Sequence, residues 1–117
     1  MYSAVMVTKE LVAASSRPLV LSILAEGESY GYAIIQRVRE LSDEELEWTD
    51  GMLYPVLHRL EKEGLIAADW RKSETGRERK YYQLTRDGRT ALKQEQQQWI
   101  NVHNTLGKLW KLKPASI

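Results

Sequence analysis

Apolar residues recur along this chain at the spacing of a helix face, and polar punctuation divides them into four helical stretches and one hairpin. The first stretch carries Leu19, Ile23 and Leu24 and ends near Gly27. Ser15 or Ser16 is placed to cap it, and Pro18 then falls in a first turn, where backbone N–H groups have no helical acceptor. Leu11 and Val12 precede those serines, either on a separate helical arm or on the same helix bent at the proline. The second stretch begins after Ser29 as N-cap. It sets Ile34, Val38 and Leu41 on one face and turns Gln36, Arg37 and Arg39 away. Asp43, Glu44, Glu45 and Glu47 follow as a connector too charged to bury.

The third helix is capped by Thr49 and Asp50, and its core stripe is Leu53, Val56, Leu57 and Leu60. Gly51, Tyr54, Pro55, His58 and Lys62 fall on the opposite side, with Arg59 at the margin. Pro55 removes a backbone donor inside the helix and predicts a local irregularity, and Gly64 stands as the glycine after the C-cap. Ile66, Ala68 and Trp70 alternate as a strand, a charged turn-prone patch runs from Arg71 to Arg79, and Tyr82 and Leu84 alternate on the return. Ser73-Glu74-Thr75-Gly76 joins the two strands, and so short a hairpin must lean on the helices. Thr85 caps a last helix of roughly 25 residues that is slightly weakened by Gly88. Leu92, Trp99 and Leu106 repeat every seven residues on it, with Val102 and Leu109 between. A stripe that long exceeds what one small domain covers, so part of it predicts a dimer seam, to which Leu11 is added.

Composition narrows the functional classes. With 117 residues there is room for one domain: 1–85 as a winged unit with a helical arm, 86–117 as a helix on the same compact body. No cysteine is present, which removes disulfides, thiolate metal sites and cysteine nucleophiles. His58 and His103 lie far apart, without a carboxylate at metal-ligand spacing, and no phosphate-binding glycine loop occurs, so neither an enzyme nor a metal or cofactor site is expected. Apolar runs are too short to span a bilayer, and the N-terminus lacks the order of a secretion signal, which predicts a cytoplasmic protein without membrane contact. Net charge is only +1, yet it is segregated. Glu26 to Glu47 holds seven acids against two bases, while Trp70 to Lys93 holds eight bases against three acids. The basic segment is the one suited to phosphates.

Three helices followed by a hairpin is the winged helix-turn-helix order, here an α+β, mainly α fold with an additional long C-terminal helix. In that order the third helix enters a DNA major groove and the hairpin touches neighbouring phosphates. Gly51, Tyr54, Pro55, His58 and Lys62 are therefore candidate DNA contacts, with Arg77, Arg79 and Lys80 as a backbone clamp. The alternatives are a solvated helix face and solubilising charges at a loop tip. A winged helix serving as a protein-interaction or RNA-binding module is the competing use, and such modules tend to lose the basic wing or bury the recognition face.

The segments SYGYAII from Ser29, GMLYPVLHRLEKEGLI from Gly51 and GRERKYYQLT from Gly76, with Gly88, resemble the PadR family of bacterial winged-helix transcriptional regulators, over roughly Leu19 to Trp99. Glu78 departs from a wing that is often a run of basic residues. The resemblance implies a repressor, DNA contacts that include Ser29 and Tyr30, and a small subgroup that dimerises through one C-terminal helix and reads palindromic operators. It also implies a small aromatic or phenolic effector. Two readings of Trp99 stand: a core residue at the dimer interface, or a ring that stacks on a flat aromatic ligand, with His103 one turn away.

Overall fold

The computed structural model describes residues 7–115; the first six residues of the N-terminal arm and the last two of the C-terminal unit lie outside them. In chain order the elements are α1 (Lys9–Ala25), β1 (Ser29–Tyr30), α2 (Gly31–Leu41), α3 (Asp50–Lys62), β2 (Ile66–Lys72), β3 (Glu78–Leu84) and α4 (Arg86–Trp110). α1 is the hub: it packs against α2, α3, β3 and α4. Val20, Leu21, Ile23 and Leu24 of α1 meet Ile34 and Val38 of α2, Leu53, Leu57 and Leu60 of α3, Ile66, Tyr82 and Leu84 of the sheet, and Leu92 of α4 in one apolar cluster. Burying that cluster is what holds the short hairpin and the helices as one unit.

Several elements differ from the sequence expectation. α1 is a single helix capped by Thr8, whose hydroxyl accepts from the Leu11 N–H at 3.2 Å, so neither Ser15 nor Ser16 is a cap. Both serines instead donate to carbonyls one turn back, Val12 at 3.1 Å and Ala13 at 2.8 Å, while Pro18 sits inside the helix. Ser29 is likewise no cap. It pairs with Tyr82 in β1, and Tyr30 becomes the N-cap of α2 without a side-chain bond. Leu41, the last residue of α2, is exposed beyond the buried Ile34 and Val38. Thr49 does cap α3, accepting from the Met52 N–H at 3.3 Å, and Gly64 follows the C-cap Glu63. The helix continues through Pro55.

The acidic connector is exposed at Asp43, Glu44, Glu45 and Glu47, but it is not wholly outside: Leu46 packs on the core and Trp48 is buried. Asp43 and Glu44 turn the chain with positive φ (52° and 67°). The sheet is antiparallel in the order β1-β3-β2, and both ends of the charged patch from Arg71 to Arg79 are paired strand, with Arg71 opposite Arg79 and Lys72 opposite Glu78. At the other end Thr85 caps α4, accepting from the Gly88 N–H at 3.0 Å and donating to the Gly64 carbonyl at 2.7 Å. Gly88 is more than a weak helix starter: a Cβ there would overlap the Leu65 carbonyl and a methyl of Leu84, so α4 can approach the Leu65 backbone and the end of β3 only with glycine at this point.

Candidate nucleic-acid interface

α3 and the hairpin face each other across a cleft of about 750 Å³. One side is built where β1 runs into α2. A Cβ on Gly31 would lie 2.5 Å from the Tyr54 hydroxyl, so the glycine lets the tyrosine of α3 lie flat against this junction with half its surface open. The other side is the hairpin, where alternation decides what faces the cleft. Ile66 pairs with Leu84 and Ala68 with Tyr82 in the core; two residues further out, the same face presents Trp70 opposite Lys80. Trp70 is therefore 63% exposed although it continues the alternation of buried residues. The strand simply runs past the end of the core.

The cations of the hairpin differ in how they are held. Arg71 makes two hydrogen bonds to the Glu28 carboxylate, at 2.9 and 2.6 Å, and lies over the Tyr81 ring. Those bonds hold the Glu28 carboxyl below the usual carboxylate range. Lys80 reaches Glu61 of α3 at 3.3 Å and the face of Tyr82, so it ties the hairpin to the helix rather than standing free. Arg79 stacks on Tyr30, its guanidinium carbon 4.4 Å from the ring centroid, and Tyr30 in turn meets Tyr81 edge to face at 5.5 Å. Neither Arg77 nor Arg79 makes an ion pair among the described residues, so both keep their charge available. Tyr82 is 3% exposed, and burial pushes its phenol up to about 12.

Of the residues singled out in the sequence, Tyr30, Tyr54, Arg77, Arg79 and Lys80 come together on this cleft. His58 and Lys62 are exposed further along α3, and Ser29 is engaged in the sheet. Gly51 and Pro55 lie on the other flank of α3, lining a separate groove with α1 and the connector. Sequence reasoning did not single out Gly31, Tyr32 or Trp70, although Gly31 and Tyr32 belong to the Tyr-Gly-Tyr segment and all three line the cleft. On α4, Leu92 is 6% exposed and belongs to its own chain's core, so it is not free for a seam. Leu106 is half-buried, whereas Leu11, Trp99, Val102, His103 and Leu109 are exposed. Among the described residues no helix is long and apolar enough to cross a membrane.

Known proteins share this arrangement. The transcriptional regulator PadR-like family matches residues 20–94. Transcriptional regulator Rv3488 of Mycobacterium tuberculosis is 37% identical over 87 residues, which covers 74% of this chain and 78% of that protein. A transcriptional regulator from Clostridium thermocellum has a similar structure, with a TM-score of 0.79 at 31% identity, covering 88% of this chain and 97% of the other. A PadR family regulator from Eggerthella lenta gives a TM-score of 0.72 at 35% identity, covering 89% and 88%. The family match takes in the helix pair α2 and α3, the hairpin and the start of α4, so this chain belongs to the PadR-like family of transcriptional regulators, whose members control transcription rather than catalyse reactions.

Proposed function

We propose that this regulator binds double-stranded DNA as a homodimer, with α3 in the major groove and the hairpin on the adjacent backbone. Residues 1–85 supply the reading unit and 86–117 the pairing helix. The observation that carries the reading is that Tyr54 of α3 and Arg77, Arg79 and Lys80 of the hairpin line one cleft, beside the exposed His58 and Lys62. Tyr54 offers a hydroxyl to a phosphate or base edge, His58 and Lys62 reach further along the groove, and Gly51 and Pro55 border the helix face where the sugar-phosphate passes. Ser29 and Tyr30 support the same strand of DNA from the β1 side. The exposed stripe of Trp99, Val102 and Leu109, continued by Leu106 and joined by Leu11, is the material for a two-fold interface. That symmetry sets two copies of α3 about 34 Å apart on a palindromic operator. We infer further that the protein is a repressor released when a small aromatic compound stacks on Trp99 near His103.

Titration of operator and random duplex at several salt concentrations tests the clamp. The dimer should show a slope of log affinity against log salt of about −5 to −9. Arg77→Ala with Arg79→Ala should weaken both duplexes together and flatten that slope by about 3.6, because four phosphate contacts are lost per dimer. Loss of operator binding alone, with the slope unchanged, would mean that the hairpin reads bases.

A further inference from the structure

Within one chain, the end of α3 and the first half of α4 are tied together at two points. At the first, the Thr85 hydroxyl donates to the Gly64 carbonyl at 2.7 Å and the Thr85 N–H donates to the Leu65 carbonyl at 3.0 Å, with Gly88 too near that carbonyl to carry a Cβ. The second is made by Arg17 of α1. Its Nε donates to Glu95 of α4 at 2.8 Å, while its two terminal nitrogens hold the carboxylate oxygens of Glu63, the C-cap of α3, at 2.9 and 3.2 Å. The Glu95 side chain is only 17% exposed. Leu92 lies between the two ties, and among the described residues it is the last side chain of α4 in the core cluster.

One tie is a pivot, whereas two ties fix an angle. Glu95 lies ten residues beyond Thr85, which is about 15 Å along the helix axis. A guanidinium is a planar fork with donors in fixed directions, so one side chain sets where both carboxylates stand. Partly exposed ion pairs add little stability, and what a two-armed one adds is direction. That direction matters because α4 runs on past Glu95 with Trp99, Val102 and Leu109 exposed. A tilt of about 7° over an arm of about 30 Å moves the far end by about 3.5 Å, close to the rise of one base pair.

We propose that Arg17 is a positioning residue: by bracing Glu95 against Glu63 it fixes the angle between α3 and α4, and thereby the separation of half-sites that the dimer accepts. The inference rests on the homodimer reading and names the side chain that sets its spacing. Arg17 does not line the cleft between α3 and the hairpin, so its removal should leave the contacts to each half-site in place.

Binding of the full chain to a set of duplexes tests this, well below the unfolding temperature of every variant. Each duplex carries the half-site enriched from a random pool, as an inverted repeat with centres about 9, 10, 11 or 12 base pairs apart. The wild type should favour its best spacing over a neighbouring one by about tenfold. Arg17→Met and Glu95→Gln should each reduce that ratio to about threefold or less, with affinity for a single half-site and the dimer Kd unchanged within about twofold. Glu95→Gln leaves Arg17 on Glu63, so the same loss in both variants assigns the effect to the brace rather than to the end of α3. Either variant keeping the wild-type ratio, or losing affinity equally at every spacing, overturns the positioning role and leaves the homodimer standing; so does a wild type indifferent to spacing. A wild type that binds inverted repeats no better than a single half-site overturns both.

Discussion

At Gly31 a single missing Cβ sets the position of the tyrosine that α3 presents. Gly31→Ala puts a methyl group 2.5 Å from the Tyr54 hydroxyl and 3.0 Å from the ring carbon that bears it, so the ring must leave its seat. The expected cost is about 1–3 kcal/mol in urea unfolding, and Tyr54→Phe in the same background should recover part of it by removing the closest atom. An unchanged midpoint for Gly31→Ala would show that Tyr54 is not held there. The motif containing Gly31 was legible in the sequence, but this use of it was not, because the contact joins residues 23 positions apart on different elements. Trp48 was unreadable for a related reason. Its acidic neighbours describe a solvated connector, and only the folding of that connector over α1 and α3 turns one aromatic ring inward.

Among the elements, the four helices and the hairpin follow from periodicity and caps, and Thr49, Gly64 and Thr85 mark real boundaries. β1 does not follow, since two residues have no period and their strand character comes from β3 beside them. The strands also extend into what reads as loop, because Arg71, Lys72, Glu78 and Arg79 pair through their backbones while their side chains are charged. Arg17 links three elements in a way no local pattern signals: from α1 it bonds Glu95 of α4 at 2.8 Å and Glu63, the C-cap of α3, at 2.9 Å. Its hydrogen bonds are the main cause holding the Glu63 carboxyl below the usual range. A carboxyl depressed in the folded state lends stability above its ordinary pKa and loses it as pH falls through the lower, folded value. Arg17→Met should therefore lower Tm by a few degrees at neutral pH, with the gap to wild type closing as pH drops from about 5 towards 3. A gap independent of pH would assign the effect of Arg17 to packing alone.

For the whole molecule, α4 divides into a half that completes the core through Leu92 and a half that projects with Trp99, Val102, Leu109 and Trp110 exposed. The heptad spacing made the stripe legible but not the division, because the seven-residue repeat is the same whether a face meets its own chain or another. The charge segregation read from the sequence also acquires a finer meaning. Some acids pin arginines, as Glu26 pins Arg37 at 2.8 Å and Glu28 pins Arg71, which leaves Lys72, Arg77 and Arg79 as cations of the hairpin without an ion pair among the described residues. In the proposed dimer, two such surfaces related by a two-fold axis would define a shape for the target. Selecting bound duplexes from a random pool with the full chain, and sequencing them, tests this most directly. An inverted repeat whose half-sites are centred about 10 base pairs apart is the predicted outcome. Failure to enrich any sequence, or enrichment of a single unrepeated half-site, would contradict paired recognition helices on one double helix.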